Sequence, residues 1–148
     1  MVNFNTKILF LSIIFLLDLV LAKSNGWITN NVEVHIINAL PPNSKPLALH
    51  CKSGDDDLGN KTISTHDEFD IYFNEKLFGG TLFFCHFWWN SKNIVFDVYN
   101  NHVSKSSEKD CGRLNPDLME CYWKVQEDGF YFGAHRYPPP EYWKKESW

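Results

Sequence analysis

What the chain lacks narrows it first. Past residue 22 there is no apolar run approaching the roughly 20 residues that a membrane-spanning helix needs. Positive charge is in the minority, with 14 Lys+Arg against 18 Asp+Glu and a net charge of −4. Neutralising phosphates requires a basic face, so nucleic acid is not expected as a partner. There is no Gly-X-Ser-X-Gly elbow and no Gly-rich phosphate loop. Sustained helical periodicity is missing too; Asn115–Glu120 could make one turn.

What is there is organised around Thr81-Leu82-Phe83-Phe84-Cys85-His86-Phe87-Trp88-Trp89. Aromatic side chains suit a pleated surface, so the stretch reads as a central β-strand, opened by Gly79-Gly80 and closed by the turn residues Asn90-Ser91-Lys92-Asn93. Alternation puts Thr81, Phe83, Cys85, Phe87 and Trp89 on one face and Leu82, Phe84, His86 and Trp88 on the other. Both faces are largely apolar, so most of the strand is expected to be covered.

The first 22 residues read differently. Lys7, the apolar run Ile8–Leu17 and the small or apolar Val20-Leu21-Ala22 make a secretory signal peptide with cleavage after Ala22, Asp18 being an irregularity. Removing Lys7 and Asp18 together leaves the balance at −4. Residues 23–137 are then one β domain, and 138–148 an extended Pro- and aromatic-rich tail. A chain of this kind is expected outside the cell, not spanning the membrane, and as a monomer.

Short alternating segments follow one another. Val32–Ile37 is stopped by Pro41-Pro42-Asn43, Leu47–Cys51 leads into an acidic loop from Ser53 to Asn60, and Phe69–Phe73 has one wet face. Ile94–Tyr99 returns from the central strand as a hairpin. Cys121–Gln126 turns at Asp128-Gly129 into Phe130–Gly133, and Pro138-Pro139-Pro140 forces a tail outside the sheet. Seven to eight short strands at this spacing imply a small all-β antiparallel sandwich.

The four cysteines, Cys51, Cys85, Cys111 and Cys121, imply two disulfides in an oxidising compartment. Parity turns three of them into the core. The pairing preferred on that basis is Cys51–Cys121 with Cys85–Cys111, the first closing a loop worth about 4 kcal/mol. Cys51–Cys85 with Cys111–Cys121 is the main rival. Asn60-Lys61-Thr62 is a glycosylation sequon, hence surface.

Candidate sites are few. His50-Cys51 and Cys85-His86 suggest zinc, but adjacent strand residues face opposite ways. The six histidines show no shared ligand spacing, so no metal and no cofactor is expected. Asp55-Asp56-Asp57 fails the EF-hand template, with Asn60 where Gly belongs and His66 where Glu belongs; a weaker calcium loop stays open beside a solvated one. Asp70, Glu75, Asp97 and Glu127 are carboxylates that nothing points at each other, and the cysteines are committed, so no catalytic residue is assigned. Trp88, Trp89, Trp123, Tyr122 and Tyr99 are interaction candidates; of these Trp88 and Tyr122 face outward, while Trp89 and Trp123 face the core, and the tail adds Trp143 and Trp148.

In order along the chain, His50-Cys51-Lys52-Ser53-Gly54-Asp55-Asp56-Asp57-Leu58-Gly59, Leu82–Trp89, Phe96-Asp97-Val98-Tyr99, Cys111, Cys121-Tyr122-Trp123-Lys124-Val125 and Asp128-Gly129-Phe130-Tyr131 resemble the plant self-incompatibility S1 family, the S-protein homologues. The resemblance implies a small secreted sandwich with two disulfides and no catalytic activity, acting as a signalling ligand of a cell-surface receptor. It places variation in the hydrophilic loops, here Asp55, Asp56 and Asp57 with the connection to Asn60, Asn74–Gly80 and Asn100–Asp110. A small-ligand or glycan-binding module using exposed aromatics is the alternative.

Overall fold

The computed structural model describes residues 4–24, 31–76, 80–100, 111–115, 118–134 and 141–148. An N-terminal helix, α1 (Phe4–Ser24), precedes ten strands. These are β1 (Asn31–Asn38), β2 (Leu47–Ser53), β3 (Asp57–Ile63), β4 (Glu68–Asn74), β5 (Phe83–Trp89), β6 (Lys92–Tyr99), β7 (Gly112–Asn115), β8 (Leu118–Gln126), β9 (Gly129–Gly133) and β10 (Trp143–Glu146). Among the described residues no helix is long and apolar enough to cross a membrane.

Two sheets result. The larger runs β10-β9-β8-β1-β4 with β7 pairing to β8; the smaller runs β3-β2-β5-β6. The all-β sandwich read from the sequence is the observed class, with two departures. The described residues form ten strands, and β1 pairs with β8 in parallel, Val34 opposite Cys121 and Ile36 opposite Trp123. Parallel neighbours need a long crossover; here everything from β2 to β7 supplies it.

The inner faces interdigitate as the alternation requires. Val32, Val34 and Ile36 of β1 are fully buried, as are Cys85 and Phe87 of β5 and Val125 of β8. Phe130 of the larger sheet packs 4.8 Å from Phe87 and 4.9 Å from Phe96 of the smaller, centroid to centroid. The Trp123 indole N–H, itself buried, donates across the layers to the Val98 carbonyl at 2.8 Å. A wholly buried aromatic of this size costs about 3–5 kcal/mol when truncated to Ala, so this cluster fixes how the sheets face each other. On β5 the alternation separates the faces more sharply than two apolar rows imply: Phe83 to Trp89 in odd positions are buried, whereas Phe84, His86 and Trp88 are half-buried and Leu82 is exposed.

Several expectations are corrected. The disulfides are Cys51–Cys85 and Cys111–Cys121, not Cys51–Cys121 and Cys85–Cys111. Parity told which face each thiol takes but not which strands adjoin. Antiparallel pairing sets Cys51 directly opposite Cys85 on β2 and β5, Cα atoms 4.1 Å apart, while Cys121 lies in the other sheet. The β7–β8 hairpin, with Gly112 opposite Glu120, brings Cys111 to Cys121 at a Cα separation of 4.4 Å. The acidic loop ends at Asp56, because residues 57–63 form the edge strand β3. The β5–β6 turn is only Asn90-Ser91, with Asn90 at φ +55°, a left-handed residue of the kind a two-residue hairpin needs. Of Asn115–Glu120, Asn115 ends β7 and residues 118–120 begin β8, so the described ones form no helical turn; residues 116–117 lie outside the described residues.

The C-terminal residues are not outside the sheet. Trp143–Glu146 add β10 to the edge, with Lys144 opposite Tyr131. Trp148 packs on Phe130 at 4.6 Å and donates its indole N–H to the Gln126 carbonyl. A Cβ on Gly129 would lie 2.2 Å from the Glu146 carbonyl oxygen, and its φ is +150°. Gly129 therefore serves both the turn and the close passage of β10. Pro138-Pro139-Pro140 lie outside the described residues.

Candidate functional site

The acidic loop is rooted in the smaller sheet two residues beyond a disulfide. Ser53 organises it: its hydroxyl accepts the backbone N–H groups of Asp55 at 3.2 Å and Asp56 at 2.9 Å, and its own N–H donates to the Asp56 carbonyl at 2.8 Å. Short polar side chains closing their own turns in this way give a shaped loop. The three aspartates then divide. Asp57, at the start of β3, accepts from His50 Nε2 at 2.5 Å, Lys52 Nζ at 2.9 Å and the Gly59 N–H at 3.0 Å. The His50 hydrogen bond first, then Lys52 and the Gly59 amide, hold its carboxyl well below the usual carboxylate range. Asp57 is thus a structural anchor. Asp55 and Asp56 are exposed; Asp55 reaches Lys76 at 2.7 Å across a groove of about 260 Å³ floored by Phe73 and Phe83. Of the other loops expected to vary, residues 77–79 and 101–110 lie outside the described residues.

At the opposite end, an open trough of about 950 Å³ lies between the β1–β2 connection and the turns at Asn90 and Glu127, lined by Pro41, His66, Lys92 and Asp128. Beside it Asp128 accepts from Tyr131 at 2.7 Å and Lys144 at 2.9 Å. The Lys144 hydrogen bond chiefly lowers the Asp128 carboxyl and raises the ammonium; the same aspartate raises the Tyr131 phenol.

The carboxylates considered for catalysis do not converge. Asp70 faces His35, the Tyr99 hydroxyl donates to Glu75, Asp97 accepts from Asn100 at 3.0 Å, and Glu127 sits in the β8–β9 turn. Asn60 is exposed on the edge strand β3. Trp88 is half-buried and stacks on His86 with centroids 3.6 Å apart. Trp89 and Trp123 are in the core. Tyr122 does face outward, beside His35 on which it stacks at 4.4 Å, but it is buried at 2 % exposure. Trp148 is committed to Phe130 and Trp89, so it is no free platform.

That stack belongs to a cluster the sequence did not disclose. On the outer face of the larger sheet, His35 of β1 is surrounded by Glu33 of the same strand, Glu68 and Asp70 of β4 and Glu120 of β8. The signal was a same-face pair on each of two strands, Glu33 with His35 and Glu68 with Asp70. It becomes a cluster only once β1 is known to lie between β4 and β8.

Residues 33–148 match the family described as plant self-incompatibility protein S1. The chain is 36% identical to S-protein homolog 2 of Arabidopsis thaliana over 68% of its own length and 59% of that protein's. It is 31% identical to self-incompatibility protein S1 of Papaver rhoeas, covering 80% of this chain and 79% of the poppy protein. The chain thus spans less than two thirds of the Arabidopsis relative's length and about four fifths of the poppy protein's. A solved structure described as one of the SPH (self-incompatibility protein homologue) proteins, a widespread family of small, highly stable, secreted proteins from plants, shares the fold. Its TM-score is 0.53 at 19% identity, over 79% of this chain and 97% of that one. With the two-layer architecture and the matched span together, the chain belongs to the plant self-incompatibility S1 family of S-protein homologues.

Proposed function

We propose that this protein is a secreted, non-enzymatic ligand that binds a cell-surface receptor through the loop from Ser53 to Asp57. The observation that carries the reading is that loop's construction. Its backbone is shaped by Ser53 and anchored by Asp57 and the Cys51–Cys85 bridge, while the Asp55 and Asp56 carboxylates stay exposed. A loop held in shape before binding loses little conformational entropy on contact, and recognition sits on loops presented by rigid scaffolds. Family membership supports the reading, as does the description of the solved relatives as secreted. The exposed α1 side chains from Lys7 to Leu17 fit a leader cleaved after Ala22. A glycan on Asn60 would cover the otherwise unpaired edge of β3.

The test is binding of the labelled, purified protein to intact plant cells. Saturable binding is expected, and D55N/D56N is expected to weaken it at least tenfold while leaving the thermal midpoint unchanged. Equal binding by that variant and wild type removes the loop assignment. The alternative, a glycan-binding module, is favoured by the His86–Trp88 stack on the outer face of β5; loss of binding in Trp88→Ala with retention in D55N/D56N would select it.

A further inference from the structure

His35 is 94 % buried, and its Nε2 is a buried polar atom without a hydrogen-bond partner. A buried ring nitrogen in that condition is costly unless something occupies its direction. The other nitrogen settles the proton: Nδ1 lies 2.7 Å from Glu68 Oε1 and 2.8 Å from Asp70 Oδ1. Two carboxylate oxygens at such distances require Nδ1 to carry hydrogen. Nε2 then points towards Glu120 Oε1 at 3.8 Å and Glu33 Oε2 at 4.0 Å. Both are too long for direct hydrogen bonds, which end near 3.2 Å.

We propose that Nε2 of His35 with the carboxylates of Glu33 and Glu120 forms a binding site for a divalent cation of the zinc type, joining β1 to β8. The three donor atoms lie within 4.8 Å of one another. Donors about 2.0–2.1 Å from a common zinc ion stand roughly 3.3 Å apart at tetrahedral angles, so a small inward swing of two glutamates completes the set. Glu68 and Asp70 complete the arrangement from behind. A carboxylate accepting the far ring N–H fixes tautomer and ring orientation, as it does in histidine-ligated zinc centres. The Tyr122 ring, stacked at 4.4 Å and 7° from parallel, holds the imidazole plane. An imidazole donor favours zinc over calcium or magnesium, which prefer all-oxygen shells. Neither thiolate nor free cysteine competes, since all four sulfurs are bridged.

The experiment uses the purified protein with both disulfides intact, stripped with EDTA and titrated with Zn²⁺ by calorimetry and by ¹⁵N NMR of the imidazoles. One Zn²⁺ per chain is expected, with the His35 Nε2 resonance moving while the Nδ1 proton is retained. Glu33→Gln and Glu120→Gln should each weaken binding about tenfold or more, and Asp55→Asn should leave it unchanged. At a hundredfold excess over Kd, the melting midpoint should rise by roughly 5–10 °C. Absence of saturable binding overturns the proposal. So does binding that survives the E33Q/E120Q double variant, that follows His50 or His86, or that occurs with Ca²⁺ but not Zn²⁺. Should either glutamate variant fail to fold, the wild-type spectrum decides, because an unmoved His35 Nε2 at excess Zn²⁺ is fatal by itself.

Discussion

Each sheet carries a histidine–carboxylate pair on its outer face, and the two differ in nearly every physical respect. On the smaller sheet, His50 meets Asp57 beside Lys52, with the Asp57 side chain 55 % exposed. On the larger sheet, His35 is enclosed by four acidic residues and roofed by Tyr122. The cause is what the flanking strands carry. His35 lies on β1, between β4 and β8, so neighbours on both sides contribute side chains. His50 is likewise flanked by an edge strand of seven residues and an inner one, but the residues opposite it are Asn60 of β3 and His86 of β5, neither of them acidic. Enclosure makes electrostatics consequential, because water no longer screens the charges; exposure leaves a pair that shapes a loop and adds little stability.

Breaking the disulfides gives the largest effect and compares the sheets directly. Cys51–Cys85 joins adjacent strands of the smaller sheet across 34 residues, and Cys111–Cys121 ties the β7 hairpin to the larger across 10. In the chain-entropy account the first contributes about 4 kcal/mol and the second about 3 kcal/mol. C51S/C85S should therefore lower the urea midpoint more than C111S/C121S, and only the first should loosen the recognition loop. The reverse order in denaturation would show that the larger sheet depends more on its bridge than loop length implies.

Next in size is the pair of histidines. His35→Ala in metal-free protein leaves Glu33, Glu68, Asp70 and Glu120 facing one another and removes the stack on Tyr122. A loss of about 2–3 kcal/mol is expected, somewhat below the range for a fully buried pair because Asp70 is half exposed. His50→Ala should cost under about 1 kcal/mol. Chemical denaturation of both variants measures the gap, and equal losses would dissolve the contrast between the two faces.

The same contrast separates what the sequence discloses from what it hides. Strand parity was legible: Val32, Val34, Ile36, Phe83, Phe87, Trp123 and Val125 are where alternation puts them, because the period of two is local. The hairpin through Asn90 and the turn at Asp128-Gly129 were legible for the same reason. Strand adjacency was not. It decides which thiols meet, and the preferred pairing failed at Cys121, which is on the correct face of a different sheet. It also assembles the His35 cluster, since Glu120 is 85 positions away in the chain and reaches β1 only through a parallel pairing. Strand β10 was hidden behind Pro138-Pro139-Pro140, because proline disfavours a strand where it stands without forbidding one a few residues further on. The acidic loop was visible as a loop, but that Asp57 is an anchor while Asp55 and Asp56 face solvent depends on His50 and Lys52 of the adjacent strand β2, where Lys52 stands opposite Asp57.

The smallest expected effect is the dependence of stability on pH, and it separates the sheets at opposite ends of the scale. Asp57 on the smaller sheet and Asp128 on the larger both have carboxyls held below the ordinary 3.8, by the His50 and Lys144 hydrogen bonds respectively. The folded chain therefore binds fewer protons than the unfolded one at acid pH. The stability they contribute is present above about pH 4 and fades as pH falls below it. Lys144 and Tyr131 are raised above 10.5 and 10.0 by Asp128, so what they contribute is intact below pH 10 and fades as pH climbs through their folded values. All four groups lie open to solvent, so both limbs should be shallow and flatten in molar salt. Melting curves from pH 2 to 11 should show Asp57→Asn flattening the acid limb alone. Lys144→Gln should flatten part of the alkaline limb and part of the acid one, because Asp128 then loses the larger of the two hydrogen bonds that lower it and keeps the one from Tyr131. An alkaline limb unchanged in Lys144→Gln would mean that β10 is held by its backbone pairing with β9 and by the packing of Trp148 on Phe130, with its edge charges contributing nothing.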